Sequence, residues 1–232
     1  MNKEESLALY AQGRDAWNVW ANDMLAQKAE LEKNGQWQIN RFGRGLNDET
    51  RDWVNVSSAN FLQHSFEEDA DFSGFIFPYS ANFDKVTFNN DASFYEATFN
   101  GEAKFEEVTF NSNAGFSETT FIGKTRFHQA TFSNYAEFSR AEFSSNAKFD
   151  RITFSDIAWF DNVTFSDKVD FGYTTFNDDA EFSYTTFSDN ARFDSATFNV
   201  NAEFYNVTFS GNAKFNRVLF VVVVTRSDSY PI

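Results

Sequence analysis

From Phe61 onward phenylalanine returns at 66, 72, 77, 83, 88, 94, 99, 105 and 110, and the steps alternate five and six through to Phe220. Of the 32 phenylalanines in the chain, only Phe42 and Phe75 fall outside this run. The aromatic excess and the repeat are therefore one fact, and the sequence period is eleven residues. Each eleven holds two units. The five-residue unit reads Ala-x-Phe-x-x, as in Ala103-Lys104-Phe105-Glu106-Glu107, and the six-residue unit reads x-Thr-Phe-x-x-x, as in Val108-Thr109-Phe110-Asn111-Ser112-Asn113. A spacing of two is the strand period, so Ala103 and Phe105 point to one side while Lys104 and Glu106 point to water. Asn90-Asp91, Ser112-Asn113, Ser145-Asn146 and Gly211-Asn212 then favour tight turns, by accepting left-handed geometry or by bonding their own backbone.

Short strands, frequent corners and one large inward residue per unit describe an all-β solenoid whose coils stack with phenylalanine on the axis. An eleven-residue period also suits a right-handed helical supercoil. Thr-Phe-Asn and Thr-Phe-Ser triplets with Asn, Asp and Gly at the corners are poor helix material, which rejects that alternative. Phe83, Phe105, Phe127, Phe149, Phe171, Phe193 and Phe215 belong to the expected structural core.

These residues resemble the pentapeptide-repeat family, in which Ala occupies the second inward position and Leu or Phe the central one. The resemblance covers residues 59–220 and implies a right-handed quadrilateral β-helix. The chain departs from the family pattern by adding a sixth residue to every second unit, which lengthens the expected coil to 22 residues. Charge placement supports that length independently. The residues before Phe at 104, 126, 148, 192 and 214 are Lys, Arg, Lys, Arg and Lys, with Asp170 the one acidic break, while the interleaved positions 71, 93, 115, 137, 159, 181 and 203 carry no base. A period of 22, and not of 11, separates these two sets onto opposite faces.

The basic column is expected to pair with acids on its own strands, Lys104 with Glu106, Lys148 with Asp150 and Arg192 with Asp194, as a solvated ladder. The opposite face combines acids with exposed aromatics, and Asp71, Tyr95, Glu137, Trp159, Asp161, Glu181, Glu203 and Tyr205 form the candidate partner-binding face. The two remaining faces expose regular threonine, for instance Thr87, Thr109 and Thr153 on one and Thr98, Thr120 and Thr164 on the other. Such ladders resemble the ice-binding surfaces of unrelated solenoids, although threonine also simply favours strands.

Chemistry is nearly absent. There is no Cys and there are two His, His64 and His128, lying 64 residues apart, so no catalytic residue, metal ligand or cofactor site is assigned. With 34 acidic against 19 basic residues the formal charge is −15, which disfavours direct binding to nucleic acid or anionic membrane and favours a basic protein partner. The start lacks an apolar leader, and no long apolar run follows, which is read as a soluble cytoplasmic protein.

Three segments are expected: a helical capping segment over residues 1–58, the repeat over 59–220, and a C-terminal strand or tail over 221–232. Residues 4–34 read as one helix, with Tyr10, Trp17, Ala21, Met24 and Leu31 at helical spacing and Gly35 at its C-cap. This helix, with Trp37, Phe42 and Trp53, is expected to pack near the first coil, and a helix–helix dimer through Trp17 and Trp20 is the alternative. At the other end Leu219, Phe220 and Val221 to Val224 form a continuous apolar run that must be covered. A homodimer through the solenoid end and a truncated longer chain both account for it.

Function divides along the same lines. The repeat reads as a non-enzymatic structural or protein-interaction solenoid. The family resemblance adds a more specific alternative, an acidic mimic of DNA that occupies a type II topoisomerase such as DNA gyrase and protects it from quinolones or toxins. Against about one charge per 1.7 Å in B-DNA, the repeat carries about one per 2.7 Å, a weaker field. In either case the phenylalanines are structural. Replacing the central Phe149 by Ala is expected to cost about 3–5 kcal/mol by opening a cavity, measured by denaturant unfolding.

Overall fold

The computed structural model describes residues 1–40 and 43–221. Within them, thirty two-residue strands run from Ala59–Asn60 to Leu219–Phe220. They form four parallel sheets of eight, eight, seven and seven strands. Every pairing joins residues 22 apart, as in Ala59 with Ala81, Thr87 with Thr109, Ala92 with Ala114 and Thr98 with Thr120. The solenoid thus has four sides and 22 residues per coil, and it completes about seven turns. Around each coil the sides follow in a fixed order. A basic face, beginning at Ala59–Asn60, is followed by a threonine face, an acidic face beginning at Ala70–Asp71, and a second threonine face. The basic and acidic faces are therefore opposite.

The core is a lattice of rings. Phenylalanines at equivalent positions stack nearly parallel along each side, with centroids from 4.4 Å (Phe77 on Phe99) to 5.2 Å (Phe165 on Phe187) apart. That spacing follows the strand separation of about 4.8 Å, so the rings are slipped rather than eclipsed. Across the axis, rings from the basic and acidic faces meet edge to face. Phe83 and Phe94 lie 5.4 Å apart at 88°, Phe94 and Phe105 5.4 Å at 89°, and Phe105 and Phe116 5.6 Å at 90°. The herringbone advances by eleven residues at each step. Most of these rings are fully buried, whereas Phe215, in the last described coil, stacks on Phe193 at 4.9 Å and remains 41% exposed.

Small inward residues complete the interior. Ala fills the position two before Phe throughout the acidic face and on most of the basic face, where Thr125 and Val169 replace it, and from Phe88 onward Val, Ile, Ala or Thr fills the one two before Phe on the threonine faces. A buried threonine hydroxyl gains from a partner away from water, which the three inward threonines of the threonine faces find and Thr125 of the basic face lacks. Thr119 donates to the Phe94 carbonyl at 2.7 Å, Thr174 to that of Phe149 at 2.5 Å, and Thr185 to that of Phe160.

The corners depart from the sequence expectation. Left-handed backbone does not fall at Asn90-Asp91, Ser112-Asn113, Ser145-Asn146 or Gly211-Asn212. It falls two residues after Phe in every five-residue unit, at Gln63, Lys85, Glu96, Glu107, Glu118, Gln129 and onward to Arg217, with φ between 52° and 60°. The N–H of the following residue closes most of these turns onto the Phe carbonyl, as in His64 to Phe61 at 3.0 Å and Ala97 to Phe94 at 3.0 Å. Among the described residues Gly74 is the one glycine at such a corner, at φ 68°. The six-residue corner uses its extra residue to turn without positive φ, and its Asp and Asn side chains bond backbone instead. Asp156 accepts from the N–H of Ile157 at 2.8 Å, and Asp91 accepts from that of Asn113, one coil on, at 3.1 Å.

The N-terminal segment also differs in detail. In place of one helix over 4–34 there are two, α1 (Lys3–Tyr10) and α2 (Arg14–Lys33), separated at Gly13, whose φ of 86° no helical residue adopts. A third helix, α3 (Asp48–Ser57), was not expected. Asn47 caps it by accepting from the Thr50 N–H at 2.9 Å, and Asp48 and Glu49 complement its N-terminal dipole. Together these helices occupy the edge of the first coil. The Ser6 hydroxyl accepts from the Asn60 N–H at 2.9 Å, and the Tyr10 hydroxyl from that of Asp71 at 3.1 Å. Trp17, fully buried, donates its indole N–H to the Ile76 carbonyl at 2.8 Å. Asn18 both accepts from the Ile76 N–H and donates to the Gly74 carbonyl, so its side chain completes the strand edge. Trp53 donates to the Met24 carbonyl at 2.7 Å and stands edge-on to Trp37 and Tyr79. Phe42 and residues 222–224 of the apolar C-terminal run lie outside the described residues.

A left-handed corner occupied by an ordinary side chain carries strain that glycine relieves, less the greater freedom glycine has in the unfolded chain. Gln129, at φ 58° and exposed, isolates this effect. Gln129→Gly is expected to stabilise by up to about 1 kcal/mol, and β-branched Gln129→Val to destabilise by about 1 kcal/mol or more, both read from urea unfolding midpoints.

Candidate functional site

The acidic face brings together most, but not all, of the residues proposed from sequence. Its strands pair so that Glu137, Trp159, Glu181 and Glu203 stand in one column on four consecutive coils. Asp161 and Tyr205 follow the inward phenylalanines of the same side and flank that column. Asp71 lies three strands away, beyond Ser93 and Gly115, beside the Tyr10 hydroxyl of α1. Tyr95 belongs to the next coil after Asp71. Its hydrogen bond with Glu96 holds its phenol above the ordinary value, and burial and the charges of Glu118 and Glu96 add to this. The candidate residues that the fold brings together on this face are therefore those of the half spanning Glu137 to Glu203.

Two further aromatics join it that sequence reasoning missed. Tyr135 stacks on Trp159 with centroids 5.5 Å apart at 29°, and Tyr184 meets Tyr205 edge-on at 5.5 Å. Tyr135, Tyr184 and Tyr205 are each more than two-fifths exposed. Tyr135 sits immediately before the inward Ala136, and Tyr184 occupies a left-handed corner. Both positions flank the column, and only a placed corner shows that they lean onto this face.

The carboxylates are crowded. Burial, then Glu203, Asp179 and Asp161, push the Glu181 carboxyl above the usual glutamate range. Asp161 has partners: it accepts from the Ser139 hydroxyl at 2.5 Å and from the Asn162 amide at 3.0 Å. No basic side chain lies within ion-pair distance of Glu137, Asp161, Asp179, Glu181 or Glu203 among the described residues. Acid without counter-charge beside exposed rings is an arrangement that a cationic partner satisfies.

On the basic face the ladder forms with different partners. Lys104 pairs with Glu102 at 3.6 Å, rather than with Glu106, and Arg126 bridges Glu102 at 2.7 Å and Glu106 at 3.2 Å. Asp150 is taken by the His128 ring at 2.7 Å instead of by Lys148. The Arg192–Asp194 pair is present at 3.0 Å, and Arg192 also reaches Asp170 at 3.0 Å. Arg126, His128 and Arg192 also link neighbouring coils, which the same-strand expectation did not foresee.

The threonine faces are uncharged over most of their length, and Asn amides chain between coils, Asn111 to Asn89 at 2.9 Å and Asn199 to Asn177 at 2.8 Å. Glu142 interrupts one threonine column between Thr120 and Thr164. His64 stands edge-on to Phe66 at 4.6 Å, half-buried. Burial and Lys3 lower its pKa, against a smaller opposing effect of Glu67. Among the described residues no group of three His, Cys, Asp or Glu side chains is placed to hold a metal ion. No helix among them is long and apolar enough to cross a membrane.

Comparison with known proteins agrees with this geometry. The family described as "Pentapeptide repeats (9 copies)" matches residues 72–120, 105–153, 138–186, 149–197 and 171–219, overlapping windows that together span 72–219. No curated protein and no solved structure matches the chain. The matched span takes in most of the solenoid and well over half of the sequence, and the chain accordingly belongs to the pentapeptide-repeat family.

Proposed function

We propose that this solenoid is a non-enzymatic protein-interaction scaffold, and that the half-face bearing Glu137, Trp159, Asp161, Glu181, Glu203 and Tyr205 receives a basic segment of a partner protein. The observation that carries this reading is the concentration of uncompensated carboxylates around Glu181 beside the Tyr135–Trp159 and Tyr184–Tyr205 pairs. A face selected only for solubility gains nothing from crowding its acids, because neighbouring like charges destabilise the folded state. Exposed aromatics beside them supply the anchors that give an interface affinity, with the carboxylates supplying orientation and association rate.

The DNA-mimic reading asks more of the same face. Its column covers three coil steps, about 14 Å, and with Asp161 and Asp179 it offers about one carboxylate per 3 Å, against one charge per 1.7 Å in B-DNA. That density favours a short basic segment over the long saddle of a topoisomerase. Regular threonine on the uncharged faces has a sufficient explanation in strand preference, and no observation raises ice binding above it.

Triple reversal Glu137→Lys, Glu181→Lys and Glu203→Lys tests the face. A labelled arginine-rich peptide, followed by fluorescence anisotropy, is expected to bind the natural protein and to lose at least tenfold in affinity to the variant; equal affinity refutes the assignment. Salt-sensitive inhibition of gyrase supercoiling that the triple variant loses would replace the scaffold reading by mimicry.

Crowding at Glu181 has its own signature. A carboxyl whose folded pKa is raised costs stability when ionised, and the cost disappears as pH falls through the raised folded value toward the ordinary glutamate range. Glu181→Gln is therefore expected to raise Tm at pH 7 by about 1–2 °C, with the gain gone by about pH 4.

A further inference from the structure

The face opposite the acidic one carries a groove of about 660 Å³. Among the described residues its charged lining is Lys124, Arg126, Lys148, Lys168, Arg192 and Lys214 against one acid, Asp170. The two arginines are spent on Glu102, Glu106, Asp170 and Asp194. Among the described residues, Lys124, Lys148, Lys168 and Lys214 have no carboxylate within ion-pair distance, and all four are exposed. In a chain of net charge −15, four free lysines gathered in one groove are not explained by composition. A second groove shares Lys124 and Arg126 and continues past Lys104 toward Arg44, but Glu102 lines it and pairs with Lys104 and Arg126, so the unpaired lysines belong to the first groove.

We propose that this groove is a second docking surface, and that its occupant is an extended acidic polypeptide segment of a partner protein. The spacing fits such a strand. Lys148 and Lys214 stand on the same column three strands apart, about 14 Å, which is about four residues of extended chain. Lys124 and Lys168 precede strands two coils apart, about 10 Å, or three residues. From Lys124 to Lys214 the track covers four coil steps, enough for about six residues. Asn146, Asn190 and Asn212 line the groove between the lysines and present amides suited to a peptide main chain, which a carboxylate-bearing strand brings with it.

Single-stranded nucleic acid fits less well. Among the described residues no aromatic side chain lines the groove for base stacking, and the rod's overall negative charge opposes a strand with a phosphate at every nucleotide. An acidic peptide meets only the local field, within a Debye length of the lysines.

The test is titration of fluorescein-labelled octaglutamate into the full chain, read by anisotropy at 50 and 300 mM salt, beside octaglutamine and an eight-nucleotide oligothymidylate. Octaglutamate is expected to saturate at one peptide per chain, to weaken at the higher salt, and to lose about tenfold or more in affinity on combined Lys124→Gln, Lys148→Gln, Lys168→Gln and Lys214→Gln. The four positions are exposed, and coincident thermal melts by circular dichroism show that the variant is folded. Equal affinity of the folded lysine variant, absence of binding at 50 mM salt, or tighter binding of oligothymidylate each overturns the proposal. A salt-sensitive self-association abolished by the lysine substitutions also overturns it, by assigning the groove to a second copy of the chain.

Discussion

Everything in this molecule hangs on rings that repeat at the separation of β-strands. Parallel strands place equivalent side chains about 4.8 Å apart, and a slipped aromatic stack accepts that distance without strain. Once each side of the coil carries such a stack, the opposite rings close the axis edge to face, as Phe83 and Phe94 do at 88°. Strands of two residues would be negligible as isolated elements. Here each is held from within by a ring and from above and below by its neighbours, so stability accumulates coil by coil, as in other linear repeats.

Such a core leaves the outside free. Phe and Ala settle where the backbone goes, and the residues between them vary without disturbing it, which is why one side holds Lys, another Thr and a third Glu. The corners bear the cost. Most left-handed positions hold Lys, Arg, Glu, Gln, Tyr or Asn rather than glycine, and the ladder of coils above and below keeps them in that conformation.

Much of the architecture was legible because its cause is periodic. The 22-residue coil could be read from the alternation of Lys104 and Glu137-type columns, and the inward phenylalanines from their spacing. What escaped was set by contact rather than period. Gly13 divides the first helix because of its φ, and α3 depends on a cap at Asn47 within a segment of no clear pattern. His128 displaces Lys148 from Asp150 because a side chain one coil away can lie nearer than one on the same strand. Tyr135 reached the candidate face by the same route, leaning from the preceding coil onto Trp159. Sequence spacing names the column a residue occupies, and the stacking of coils decides whom it meets.

The interior and the exterior of this rod keep different clocks. Rings on the axis repeat every eleven residues, since the basic-side and acidic-side phenylalanines are interchangeable in the herringbone, whereas the surface pattern repeats every 22. Losing or duplicating one eleven-residue stretch would therefore leave the axis continuous while rotating all later coils by half a turn. Lysines would then continue the line of glutamates, and glutamates the line of lysines. A single small insertion or deletion can thus splice two surfaces end to end along one side of the rod with no repacking of the axis.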